Sequence, residues 1–213
     1  MLTRYKHIVI EDFKGPPDLR EFEAIEQELG AALPSSFRQF LEVANGGTLK
    51  YSVLVPLLPN GDREPMFDEM TFCNLFYAGR DHNGEYGDGT LIGEVRSHRH
   101  SKIIPEKVLP FAQDTEDSTL YLDLTESGHG RIITFEAFQP VWTNLEDNDA
   151  WVEVAPTFDE YLSRLYLDDD FLEETFNLLG KAVSDGDEER VRANREYLDA
   201  AVPDWRERHK NLA

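Results

Sequence analysis

The sequence predicts an α+β fold: an antiparallel or mixed, twisted sheet backed by helices, with a C-terminal helical extension. Three observations carry this. Two amphipathic helical stretches meet at a Leu-Gly and Leu-Pro corner between Leu29 and Gly47. The middle of the chain holds short alternating apolar runs separated by glycine and proline turns. Beyond Phe171 such runs stop and helix-forming residues take over. With 213 residues, 40% of them hydrophobic, the chain can bury a full core. The expected division is an α+β domain over residues 1–170 and a helical extension over residues 171–213.

Taken in order, His7 to Phe13 reads as a short strand, closed by Pro16 and Pro17, which cannot continue a ladder. Asp18 is a suitable N-cap, and Glu21 stands three residues on, as a capping box requires. Leu19, Phe22, Ile25 and Leu29 then share one helical face, and Gly30 supplies a left-handed stop. Pro34 opens a second helix whose buried stripe is Phe37, Phe40, Leu41 and Ala44. Asn45, Gly46 and Gly47 end it, because Asn and Gly tolerate positive φ.

Tyr51 to Leu58 reads as a strand that Pro56 pushes toward an edge or a bend. Thr71 to Ala78 is too short to tell helix from strand. Leu91 to Val95 reads as a strand, as do Val108–Ala112, Thr119–Leu124 and Arg131–Phe135. The last two face each other across a glycine hairpin loop. Alternation puts Leu120, Leu122 and Leu124 on one face and Tyr121 and Asp123 on another, wet one. Thr157 and Glu160 suit the start of a helix with Phe158, Tyr161, Leu162 and Leu165 buried. Asp168 to Asp170 close this unit. Further helices run from Phe171 to Gly180 or Gly186, from Asp187 to Pro203, and from Trp205 to Leu212.

Composition restricts function. Lys and Arg number 21 against 42 for Asp and Glu, a formal net charge of −21. Such a charge repels phosphate backbones and argues against duplex nucleic acid, so the expectation is no direct nucleic-acid partner; it favours a basic protein or serves solubility. One cysteine, Cys73, rules out an internal disulfide and a cysteine-rich zinc site. No stretch approaches the ~18 apolar residues of a membrane span, and the N-terminus lacks the apolar core of a signal peptide. The expectation is a soluble, cytoplasmic protein.

Searches for chemistry return little. No phosphate-binding glycine loop and no nucleophile elbow occur. The Asp81–Asp88 loop alternates oxygen ligands, but Tyr86 and Ile92 stand where a calcium loop needs Gly and Glu; a solvated turn is the better reading. Arg96 to Lys102 is the one basic cluster, with His98 and His100 two apart; a solvated loop or pairing with the protein's own acids fits better than a metal site. Cys73 lies in an apolar run, where a thiol is usually inert. The expectation is no enzyme, no cofactor and no metal.

One distribution stands out. Between Phe111 and Asp170 there are 15 acids against two bases, Arg131 and Arg164. A wet sheet face would explain this, and so would an acidic docking surface for a basic protein, where complementary charge speeds encounter. Phe138, Trp142 and Trp151 could anchor such an interface, though each also suits a core position. On the docking reading the partner-binding residues are Asp114, Glu116, Asp117, Glu126, Asp147, Asp149 and Trp142.

The ordered series Ile25, Glu28, Leu29-Gly30, Leu33-Pro34, Phe37, Phe40-Leu41 and Asn45-Gly46-Gly47 resembles the N-terminal signature of the SUKH superfamily. Leu109 to Ala112 with Asp114 looks like its central strand. Thr119–Leu124 and Arg131–Phe135 look like its hairpin, and Thr157 to Leu162 like its closing helix. The resemblance covers roughly residues 18–167 and implies an α+β fold without catalysis. It further implies an immunity protein that binds and neutralises a cognate toxin, often a nuclease. The alternative it implies is a scaffold or adaptor of the fungal cell-wall-assembly-regulator type. The acidic segment fits the first role independently, since a nuclease presents a basic groove. The signature transfers no binding residue.

Overall fold

A computed structural model describes residues 1–57, 66–79, 88–100, 104–116, 118–135, 151–210 and 212. Eight strands form one sheet in the order β1 (Leu2–Tyr5), β2 (Ile8–Glu11), β3 (Gly47–Leu49), β6 (Asn74–Leu75), β7 (Val108–Gln113), β8 (Thr119–Asp123), β9 (Arg131–Phe135) and β10 (Trp151–Ala155). Every neighbouring pair is antiparallel. The remaining strands, β4 (Val53–Pro56) and β5 (Phe67–Met70), pair only with each other in a separate hairpin. The class is therefore α+β, as expected, with an antiparallel main sheet.

The N-terminal helices form as their sequence dictates. Helix α1 (Leu19–Leu29) opens on a complete capping box: the Glu21 amide donates to Asp18, and the Asp18 amide donates to the Glu21 carboxylate. Gly30 ends it at φ 64°. Phe22, Ile25 and Leu29 are buried, but Leu19, the first residue of the helix, is exposed. Helix α2 (Ser35–Val43) follows Pro34, and Phe37, Phe40, Leu41 and Ala44 are all buried. Phe37 and Phe40 meet Phe158 edge-to-face with centroids 5.0 and 5.3 Å apart. That ring is the first residue of α4 (Phe158–Arg164), capped by Thr157.

The stop at the end of α2 builds the sheet. The buried Asn45 side chain donates to the Gly15 and Ala78 carbonyls and accepts from the Ala78 amide. It thus ties three segments that are distant in sequence. Gly47 has φ 107°, and a Cβ there would lie 2.4 Å from the Glu11 carbonyl oxygen. Only glycine lets β3 approach β2 here.

Two sequence expectations are corrected. Residues 91–95 are not a strand: they start helix α3 (Leu91–His100). The Gly93 amide donates to the Thr90 hydroxyl, and the Glu94 amide to the Thr90 carbonyl. This threonine cap outweighs the β preference of a five-residue apolar run. The face of β8 bearing Tyr121 and Asp123 is not wet either. Tyr121 is buried with Val108, Ile133 and Ile104 in a second apolar cluster, against Trp151 at 5.2 Å. Asp123 is buried as well, paired with Arg131 at 2.9 Å.

The C-terminal residues form α5 (Asp169–Asp185), α6 (Glu188–Ala201) and α7 (Trp205–Arg208). Asp168 to Asp170 do not end the preceding unit. Asp168 caps α5 through the Phe171 amide, and the next two acids fill its first turn, where the helix dipole favours negative charge. The helix runs through Gly180 and stops at Gly186. Leu179, Leu198, Val202 and the fully buried Trp205 give these helices their own apolar cluster. Helix α6 also packs against β2, and the Lys50 ammonium lies 4.7 Å from the Tyr197 ring centre.

Candidate interaction surface

Asp114 closes the β7–β8 turn. One carboxylate oxygen accepts from the Glu116 and Ser118 amides, and its own amide donates to the Ser118 carbonyl. Glu116 stands exposed at the tip. Glu126 is exposed on the β8–β9 turn, at the other end of the same strand. Five residues of strand separate the two turns by about 17 Å, so Glu116 and Glu126 do not share a patch. Asp117, Trp142, Asp147 and Asp149 lie outside the described residues.

Several acids of the segment serve the fold. Asp123 accepts from the Thr125 amide and hydroxyl through one oxygen and from Arg131 through the other, at 2.9 Å. Burial alone would raise this carboxyl; the bonds from Thr125 and Arg131 outweigh it and hold it below its ordinary value. Gly128 has to be a glycine because a Cβ would collide with the Asp123 carboxylate. Asp159 pairs with Lys6, Glu160 with Arg164 and Glu153 with Arg131. Glu116, Glu126, Asp169 and Asp170 make no ion pair among the described residues.

The basic cluster is also internal. Arg96 and Arg99 on α3 reach Glu28 of α1 at 2.8 and 3.2 Å. His98 Nδ1 lies 3.0 Å from the Tyr121 hydroxyl, and its Nε2 lies 3.9 Å from Glu94. Burial lowers the His98 pKa and raises that of Glu94. Each group is pushed toward its neutral form, so Glu94 offers His98 little to hold a proton. Cys73 is half-buried rather than buried, with its thiol pushed up by burial; that suits an unreactive side chain. Among the described residues no three His, Cys, Asp or Glu side chains are arranged to hold a metal. Most of the Asp81–Asp88 loop lies outside them.

A different surface gathers acids from segments far apart in the sequence. An isolated bridge between Ser52 and Tyr166 carries the chain leaving α4 to the root of the β4–β5 hairpin. There the Tyr166 hydroxyl donates to Glu69 at 2.6 Å, and this bond and the nearby carboxylates push it up to about 12. Glu69, Tyr166, Leu167 and Asp168 to Asp170 line a cavity of about 350 Å³. Sequence reading had a strand over Tyr51 to Leu58 and a run of three aspartates, Asp168 to Asp170. It could not bring them together, because nearly a hundred residues separate Glu69 from Tyr166.

Strands β3 and β6 to β10 of the antiparallel sheet, the capped helical corner and closing α4 all lie inside the segment from residue 16 to residue 164; β1 and β2 precede it. That segment matches the SMI1 / KNR4 family (SUKH-1). The chain belongs to this family. No curated protein matches it. The SUKH-1 match ends with α4, so α5, α6 and α7 lie beyond it, and so do the three aspartates beside Glu69. Within the match the signature residues Leu29, Leu33, Phe37, Phe40 and Leu41 are all buried. No helix among the described residues is long and apolar enough to cross a membrane.

Proposed function

We propose that this SUKH-1 protein is a non-enzymatic immunity protein that binds and neutralises a cognate basic toxin, a nuclease in the first instance. It acts in the cytoplasm, where such a toxin would meet its target. The observation that carries the reading is the charge: 42 acids against 21 bases on a family fold associated with protein partners. A nuclease must present cations to its phosphate substrate, and a surface rich in unpaired carboxylates competes for them. The exposed acids are available for this, since Glu116, Glu126, Asp169 and Asp170 pair with no cation among the described residues. Glu94 and His98, whose pKa values burial displaces, are packed inside the protein and serve its framework.

The test is direct. The purified chain is titrated into the toxin encoded by the neighbouring gene, and cells expressing that toxin are scored for survival with and without the chain. Tight binding that weakens with salt, together with rescue of growth, is expected. Absence of binding and of rescue would sink the reading. Recovery of signalling enzymes as stable partners instead would favour the scaffold role.

A further inference from the structure

Single exposed apolar side chains are ordinary; a contiguous apolar face beside charge is informative. Leu54, Met66 and Phe67 are 49%, 59% and 56% exposed and sit on one hairpin. The register pairs Leu54 with Glu69 and Pro56 with Phe67. Directly opposed residues share a face, as do residues two apart on a strand. Leu54, Pro56, Phe67 and Glu69 therefore form the outward face, while Val53 and Val55 turn inward and are buried. Among the described residues β5 pairs with β4 alone, so its outer edge joins no other strand. The acidic cavity of Glu69 and Asp168 to Asp170 opens at the root of this face.

We infer that the outward face of the β4–β5 hairpin, with the acidic cavity at its root, is the surface that docks the partner. The partner chemistry it fits is a protein surface with an apolar side chain flanked by lysine or arginine. The apolar anchor covers Leu54 and Phe67, and a cationic head enters the cavity beside Glu69 and Asp169. Charge selects this occupant. A second copy of the chain would set Glu69 and three aspartates against an equally acidic molecule of net charge −21. The inference rests on the reading that the partner is a basic protein. It deepens that reading by moving the contact from the β7–β8 and β8–β9 turns to the hairpin.

The experiment compares full-length variants in calorimetric titrations against the toxin encoded by the neighbouring gene, at two salt concentrations. The double change Leu54→Ala/Phe67→Ala is expected to weaken binding about tenfold or more. Asp169→Asn with Asp170→Asn is expected to weaken it less and to flatten its salt dependence. Glu116→Lys and Glu126→Lys, at the two ends of β8, should stay within about twofold. Thermal melts confirm that each variant is folded. If the wild-type chain binds and the hairpin variants bind equally well, this face is not the interface and the immunity reading stands. If the wild-type chain does not bind the toxin, the immunity reading fails. The face is then probed by NMR with a synthetic peptide of alternating lysine and leucine. Shifts confined to the hairpin and residues 166–170 support the surface; shifts shared with Glu116 and Glu126 overturn it. A dimer in sedimentation that Phe67→Ala dissolves overturns it too.

Discussion

The corner from Leu29 to Gly47 and the hairpin from Val53 to Met70 are neighbours in sequence and opposites in physics. In the corner nearly every apolar residue faces inward. Phe37 packs edge-to-face on Phe111 and Phe158, and Asn45 spends its side-chain amide on three internal hydrogen bonds. In the hairpin, Leu54, Met66 and Phe67 face water, and Glu69 reaches the rest of the chain through the Tyr166 hydroxyl. The corner carries the family resemblance because its pattern is what the fold requires. The hairpin's outer face is not required by the fold, and that freedom lets it specify a partner. A family signature can therefore be the surest part of a sequence and still contain no functional residue.

The sharpest way to break this comparison is to truncate one aromatic from each region. Phe37→Ala removes a fully buried ring and should cost about 3–5 kcal/mol of stability. Phe67→Ala should shift stability by no more than about 0.5 kcal/mol. Asn45→Ala should fall near the first value, at about 2–3 kcal/mol, because it leaves the Ala78 amide and carbonyl unpaired in the interior. Urea denaturation reads all three. Equal losses at Phe37 and Phe67 would show that the hairpin face is framework.

What could be read from the sequence follows the same division. The helices α1, α2 and α4 were legible because caps and apolar spacing are local and agree with burial. Helix α3 was not, since a short apolar run satisfies both periods and the Thr90 cap precedes it silently. Strand β6 has two residues, too few for any pattern, yet it sits mid-sheet because β3 and β7 flank it. The acidic docking set was read as one patch from proximity along the chain. A strand placed between Glu116 and Glu126 sends them to opposite ends, and proximity in sequence says nothing of that. The acids that converge, Glu69 with Asp168 to Asp170, are brought together by the tertiary bridge from Ser52 to Tyr166 and by the Tyr166 hydroxyl on Glu69.

A smaller effect separates buried from exposed titration. Glu94 has a raised folded pKa, so the folded state holds its proton longer than the unfolded chain does. Between the ordinary carboxyl value and the raised one, stability falls as pH rises. His98 has a lowered folded pKa, so the unfolded chain takes up its proton first. Between that value and about 6.5, stability falls as pH falls. The two slopes oppose each other where the windows overlap. Glu94→Gln keeps an acceptor for the Gly89 amide and removes one slope. Its stability should therefore rise more steeply with pH up to about 6.5 than that of the wild type. Melting temperatures across pH 4.5 to 7.5, in roughly half-unit steps, check this; parallel profiles for Glu94→Gln and wild type would mean that Glu94 is ionised in the folded state as readily as in the unfolded one.

The finest distinction lies within one turn. Asp114 and Glu116 are two residues apart and both acidic, and charge alone cannot tell them apart. Geometry can. The Asp114 carboxylate holds two backbone amides of the β7–β8 turn, whereas the Glu116 carboxylate holds nothing among the described residues. Asp114→Lys should therefore cost about 1 kcal/mol by removing the acceptor. Glu116→Lys should change stability by less than about 0.5 kcal/mol. Both changes alter net charge by the same amount, so long-range steering of a basic partner should respond equally, as a modest drop in association rate that disappears at high salt. Only Asp114→Lys should also lower the hydrogen-exchange protection of the Glu116 and Ser118 amides. Equal stability loss in both variants would make the turn sensitive to charge rather than to its hydrogen bonds, and Asp114 would return to the surface as a docking residue.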